Sequence, residues 1–322
     1  MIKAPFVWFG GKFKVAHVVW RGLGDVEHYI EPFFGSGAVL LSRPHAAKLE
    51  TVNDADGLLA NFWRAVSHAP NDVAFHAANP VNEADLRARH LWLVNHKAGL
   101  TERLMADPDW FDSKAAGWWV WGINCWIGSG FCSGDGPWQN IDGVFSKGDA
   151  GQGVNRKLPH LSSVGRGVNR KFQGDDRETW LRAWFGDIKA RLSETHVACG
   201  DWTRVTGPSV LGAAGGVCGL FLDPPYSRDM RVAVYANESD CAPDVLAWAK
   251  KNGDNPKLRI CLAGYDGEHN DLQELGWRVH EWKAVGGYAN QGDTRGRENA
   301  AKERLWFSPH CLDISNSQGS LL

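Results

Sequence analysis

The stretch that most constrains this chain is Phe221-Leu222-Asp223-Pro224-Pro225-Tyr226. Ahead of it, Val217 to Leu222 is an unbroken apolar run, the pattern of a strand buried on both faces. The run stops at an acid. Two prolines then remove the N–H groups that a neighbouring strand would need and hold the backbone extended. The outcome is a carboxylate, a donor-free stretch of carbonyls and an aromatic ring at the C-terminal end of a strand. Ligands bind along that edge in open α/β sheets. A plain Asp-Pro turn shows part of the same pattern, so the rest of the chain has to decide.

Composition removes several classes. The 322 residues suffice for one large or two ordinary domains. With 43% hydrophobic and 22% charged residues the chain reads as globular. Its formal net charge is -2, so nucleic-acid binding has to rest on a local patch. No apolar run reaches the roughly 20 residues of a membrane helix, and Met1 to Pro5 carries no apolar leader. A cytoplasmic protein is expected. Cysteines stand at 125, 132, 199, 218, 241, 261 and 311, with no Cys-x-x-Cys pair, so reduced, buried thiols and no metal site are expected.

Read from the start, Phe6 to Lys12 is an aromatic run closing on Gly10-Gly11-Lys12. Alone it reads as an ordinary turn, because the GxxxxGK[ST] spacing of a phosphate loop is absent. His28 to Leu41 reads as a short strand, a turn at Gly35-Ser36-Gly37, and the start of a helix whose free N–H groups suit a carboxylate. Leu49 to Asp54 looks like a second strand ending in an acid. Such an acid accepts ribose hydroxyls in dinucleotide-type folds. Asp54 and Asp56 also precede the helical stretch Leu58 to Ser67 as candidate caps, and both roles stay open.

The middle differs in kind. Glu83 to Lys97 and Thr179 to Leu192 have helical periodicity. Between them Trp118, Trp119, Trp121, Trp126 and Trp138 interleave with glycines. Residues 151–174 carry Arg156, Lys157, Arg166, Arg170 and Lys171 and no acid, and Gly-Val-Asn-Arg-Lys occurs twice, at 153–157 and 167–171. Glycine loops with such side chains suit phosphate and base-edge contacts, and equally a solvated loop. After 195 the α/β pattern resumes. Strands are expected at His196 to Trp202, at Val217 to Leu222, at Leu258 to Ala263, at Trp277 to Ala284 and at Arg304 to Ser308, with a helix near Pro243 to Lys251.

Taken in order, Trp8-Phe9-Gly10-Gly11-Lys12, Glu31-Pro32-Phe33-Phe34-Gly35-Ser36-Gly37, the acid Asp54 and Asp223-Pro224-Pro225-Tyr226 resemble the Dam-type DNA adenine methyltransferases. The resemblance covers about residues 5 to 55 and 196 to 310. It implies a Rossmann-like class I methyltransferase sheet in residues 1–56 and 196–322, which binds S-adenosylmethionine. It also implies an inserted, largely helical and loop-rich target-recognition domain at 57–195. By position, residues Trp8 to Lys12 and Glu31 to Gly37 would line the cofactor site. Asp54 would take the ribose hydroxyls, and Asp201 with Trp202 would face the cofactor's adenine. Asp223 to Tyr226 would be catalytic, and the cations at 156, 157, 166, 170 and 171 would meet DNA. The insert does not match the pattern of GATC enzymes, so that specificity is not carried over.

The chemistry fits those residues. An adenine amino group is a poor nucleophile because its lone pair is delocalised into the ring. Hydrogen bonds from its two N–H groups to Asp223 and the Pro224 carbonyl would localise and aim that pair. Tyr226 would stack on a base flipped out of the duplex. Methylation at cytosine C5 would need a thiol nucleophile, usually in a Pro-Cys pair, and no cysteine here follows a proline. Three other readings compete. An RNA adenine or guanine methyltransferase is opposed by the early Gly-Gly-Lys, and a non-catalytic DNA-binding relative by the intact Asp223 motif. A Trp-rich carbohydrate-binding protein explains none of the motifs.

Overall fold

The apolar run before Asp223 is a central strand, and its neighbours follow from the chain order. The computed structural model of the protein describes residues 2–6, 8, 11–46, 48–126, 131–132, 167–170, 176–225, 241–282 and 303–314, with the backbone of 138–141 and 144–147. Helix α1 (Ala16–Leu23) leads to β1 (His28–Glu31) and β2 (Leu49–Asp54). Helices α2 (Gly57–His68), α3 (Pro70–Ala77), α4 (Glu83–Ala106) and α5 (Ser113–Cys125) come next. The short antiparallel pair β3 (Trp138–Ile141) and β4 (Val144–Lys147) precedes α6 (Arg177–Leu192) and β5 (Thr195–Cys199). Then follow α7 (Pro208–Leu211), β6 (Cys218–Leu222), α8 (Ala242–Asn252), β7 (Leu258–Tyr265), β8 (Arg278–Glu281) and β9 (Glu303–Phe307).

Seven strands form one sheet in the order β5-β2-β1-β6-β7-β9-β8. The first five run parallel, and β9 runs against both of its neighbours. This is the mostly parallel α/β sheet that the resemblance implies. Every residue of β1 and β6 is buried, and β6 reads accordingly as an unbroken apolar run, whereas β1 buries His28 and Glu31 as well. Between β1 and β6 the order reverses, since β2 and β5 extend one side and β7 the other. Such a switch point opens a crevice at the carboxyl ends of the strands.

Alternation along each strand feeds two cores. Tyr29 packs on Trp20, ring centroids 4.6 Å apart, in a core that also holds Val52, Phe62, Trp119 and Phe185. Its neighbour Ile30 faces the other way, with Leu220, Ile260 and Val245. Helices α2, α3, α5 and α6 therefore bury their apolar faces in the same core as β1 and β2. Capping side chains start these helices where the sequence places an Asp or Asn. The Asp56 carboxylate accepts from Leu58 N at 2.9 Å, Asp112 from Ala115 N at 2.8 Å and Asp176 from Thr179 N at 2.8 Å. Among the described residues no helix is long and apolar enough to cross a membrane.

One expectation needs correction, and one open choice closes. No α-helix begins after Gly37, where only a 3-10 turn, Leu40–Ser42, forms. Pro44 is the reason, because it pushes the preceding Arg43 out of helical geometry, to φ -55° and ψ 123°. Of the two candidate caps at the end of β2, Asp56 takes the role and Asp54 does not.

Candidate active site

Three loops meet at the switch point, and one amide ties them. Asn53, the penultimate residue of β2, donates from Nδ2 to Pro32 O and to Gly200 O, each at 3.0 Å. That links the ends of β1, β2 and β5. Asp54 then closes the β1 loop. Its Oδ2 accepts from Gly35 N at 2.9 Å and its Oδ1 from Asp56 N at 3.0 Å. Burial lifts the Asp54 carboxyl from its ordinary 3.8 to about 6, against the pull of those backbone donors. A carboxylate has about four acceptor sites, so the two oxygens keep capacity for a ligand hydroxyl. Gly35 sits at φ +48°, and a Cβ there would lie 2.7 Å from the Trp8 ring, so only glycine fits between loop and indole.

A cavity of about 340 Å³ opens over this junction, within the usual range for a small-molecule site. The run Glu31 to Ser36 lines it together with Trp8, Gly11, Lys12 and Asp54. Asp201, Trp202, Asp223 and Pro225 complete the expected residues. Gly37 and Pro224 are not in the lining. Gly37 shapes the turn instead, at φ +65° with the Phe34 ring against it. Trp202 and Phe33 present two rings, centroids 6.3 Å apart and tilted by 30°. The Asp201 carboxylate caps its own 3-10 turn, accepting from Thr203 N at 2.9 Å. Gly10 and Tyr226 lie outside the described residues, as do Arg156, Lys157, Arg166 and Lys171.

The charged floor of the cavity comes from both ends of the chain. Lys12 Nζ is 2.9 Å from Asp223 Oδ1 and 3.7 Å from Glu303 Oε2. The lysine side chain is 3% exposed, Glu303 5% and Asp223 19%, so only Asp223 keeps real access to the cavity. Burial alone would lower the Lys12 pKa, but the two carboxylates outweigh it and raise it. The ammonium is therefore firmly protonated. Nearby, burial pushes the Glu31 carboxyl well up, and the charge of Asp223 adds to that. The Tyr29 hydroxyl, donating to Glu31 Oε2 at 2.9 Å, pulls the other way.

Glu303 and Asn53 were not singled out by the sequence reading. Asn53 carries a signal in hindsight, an amide beside the strand-ending acid. Glu303 carries none, because it stands at the end of the polar stretch that precedes the strand expected at Arg304 to Ser308. Arg170, one of the expected DNA-facing cations, is half-buried and makes hydrogen bonds within the protein. It donates to Gly167 O at 3.0 Å and to Ala4 O at 3.4 Å, and its guanidinium lies 4.3 Å from the centre of the Trp184 ring.

Known proteins bear out the resemblance. Residues 8–92 match the family described as D12 class N6 adenine-specific DNA methyltransferase. Those residues include the Trp8 and Lys12 wall, the Glu31-to-Gly37 loop and Asp54. The chain is also similar to a DNA N-6-adenine-methyltransferase of Escherichia phage P1, 23% identical over 303 residues. The similarity covers 91% of this chain and 34% of that protein, so the chain spans about a third of its relative's length.

Proposed function

We propose that this chain methylates the exocyclic N6 amine of adenine in DNA, with S-adenosylmethionine as the donor. The observation that carries the reading is the ledge Asp223-Pro224-Pro225. It leaves the carboxyl end of β6 in an ion pair with Lys12 and opens onto the cavity that Asp54 and Gly35 close. Residues 57–195 are read as the part that selects the target, and DNA as the partner.

The cavity suits such a donor. Its lining supplies the Asp54 carboxylate for hydroxyl donors, two aromatic rings for a purine, and a glycine loop where a Cβ would collide. Asn53 Oδ1 is buried with no hydrogen-bond partner among the described residues, an acceptor suited to a ligand's N–H or O–H. Bound there, S-adenosylmethionine supplies an electrophilic methyl group. The protein's task is then to make a delocalised amine nucleophilic and to aim it. Asp223 accepts one N–H of that amine, held in place by Lys12 through the 2.9 Å ion pair. The Pro224 carbonyl accepts the second, with no ladder partner to compete for it. Tyr226 stacks on the flipped base. This is catalysis by orientation and electrostatics, with no covalent enzyme intermediate.

The test is methyl transfer from labelled cofactor to duplex DNA, single-stranded DNA and RNA, followed by sequencing of the modified positions. N6-methyladenine in DNA is the expected product. Label found only in RNA, or on cytosine, would overturn the reading.

A further inference from the structure

Among the described residues Lys12 is held from three sides, one from β9 and one from the residue that follows β8. Glu303 opens β9 opposite Tyr265 of β7 and turns a side chain that is 5% exposed toward the ammonium, 3.7 Å away. Its backbone carbonyl also accepts from Trp282 N at 3.3 Å. That contact places the Trp282 ring with its centre 5.9 Å from Lys12 Nζ. Asp223 closes the third side at 2.9 Å.

We propose that Glu303 is a positioning residue, which holds the Lys12 ammonium between two carboxylates so that Asp223 stays a strong hydrogen-bond acceptor toward the amine. The idea rests on the reaction proposed above. A buried lysine facing a single carboxylate would collapse onto it and spend that carboxylate's charge on a closed pair. A second carboxylate at 3.7 Å takes a share of the ammonium's charge, so Asp223, paired with it at 2.9 Å, keeps more of its own charge toward the cavity. Glu303 thus acts through Lys12 and touches neither amine nor cofactor.

The groups that face Lys12 set its titration. Among the described residues they include Asp223 at the end of β6, Glu303 on β9 and Cys261 on β7, whose thiol burial pushes well up and keeps neutral. Glu31 on β1 feels the charge of Asp223, which helps to raise its carboxyl. Removing the charge of Glu303 leaves burial opposed by one carboxylate, so Lys12 should lose its proton at lower pH.

Glu303→Gln keeps the size of the side chain and removes the charge, and Glu303→Asp restores the charge on a shorter arm. Two readouts are needed. Turnover is measured at saturating DNA and cofactor beside cofactor affinity by calorimetry. The Lys12 side-chain resonance, assigned with Lys12→Arg, is titrated by NMR. Glu303→Gln should lower kcat about tenfold or more, or about 1.4 kcal/mol. Cofactor affinity should stay within about twofold, Lys12 should titrate at lower pH, and Glu303→Asp should recover most of both. The proposal fails if Lys12 titrates in Glu303→Gln as in the parent. It fails equally if affinity, melting temperature and turnover fall together with no recovery in Glu303→Asp, the behaviour of a merely structural residue. A parent protein that methylates no nucleic acid would strike the reaction alone, and the titration would still decide whether Glu303 holds Lys12.

Discussion

Two buried charge clusters sit at opposite ends of the sheet, and they are built in opposite ways. At the amino end of β2, the carboxylate of Glu50 is fully buried and takes four hydrogen bonds. Arg191 donates twice, at 2.7 and 2.8 Å, and Arg43 and Thr195 once each at 2.9 Å. Every acceptor site of the acid is used. At the carboxyl end one lysine stands between two acids, and one of those acids looks into a cavity. A saturated cluster can only hold structure. A cluster with one member open to a cavity can meet a ligand, and the difference separates scaffold from site more sharply than burial or charge alone.

The largest expected effect tests the open cluster. Asp223→Ala should lower methyl transfer by about a thousandfold, or about 4 kcal/mol. Cofactor and DNA affinity should largely survive, since Glu303 still accompanies Lys12. A variant that keeps more than a tenth of parent turnover would end the catalytic assignment. Next comes the saturated cluster. Arg191→Ala leaves Glu50 with Arg43 and should cost about 3 kcal/mol of stability, seen as a lower melting temperature. Turnover per folded molecule should not change, and a selective loss of activity there would erase the contrast.

β2 itself offers a finer version. Asp54→Asn should weaken cofactor binding about tenfold, roughly 1.4 kcal/mol, by calorimetry. Parent affinity should fall as pH drops through about 6, where Asp54 takes up a proton and loses acceptor capacity. The two acids of this strand should also give opposite stability slopes. Asp54 keeps its proton up to about 6 in the folded state but only to 3.8 unfolded, so its contribution to stability declines as pH rises between them. Burial raises the Glu50 pKa, but Arg191 and Arg43 outweigh it and the net shift is downward. Its contribution is present above 4.5 and is lost as pH falls through that lowered value. Melting curves of Asp54→Asn and Glu50→Gln between pH 3 and 7 separate the two.

The smallest effects concern the insert. Arg170→Ala should cost about 1 kcal/mol of stability and leave the salt dependence of DNA binding unchanged, because its hydrogen bonds are internal. Changing Arg156, Lys157 and Lys171 together should flatten that dependence by up to about 0.9 per lost phosphate contact. An unchanged slope in the triple variant would leave the basic stretch a solvated loop.

Much of the site was legible because short strands such as the apolar β6 end in acids and glycines that stand out. β1, β2 and β6 announced Glu31, Gly35, Asp54 and Asp223 in this way. What pairs across the fold was not legible. Glu303 meets Lys12 only because β9 inserts beside β7, and nothing near either residue records that register. Arg170 shared its composition with a basic loop, while its half-buried place comes from contacts with Ala4, Gly167 and Trp184. The choice between Asp54 and Asp56 as helix cap turned on two residues, below what periodicity resolves.

The strand order also has a consequence for how the protein is made. β2 pairs with β5, although 145 residues separate Glu50 from Thr195. A ribosome therefore releases β2 long before its outer neighbour exists, and an exposed strand edge invites wrong partners. Helix α2, which follows at once and packs on β2, is available to shelter that strand during the wait. The intervening segment must then have folded far enough to bring β5 back within reach. Swapping that segment, the part proposed to select the target, would thus act first on folding yield.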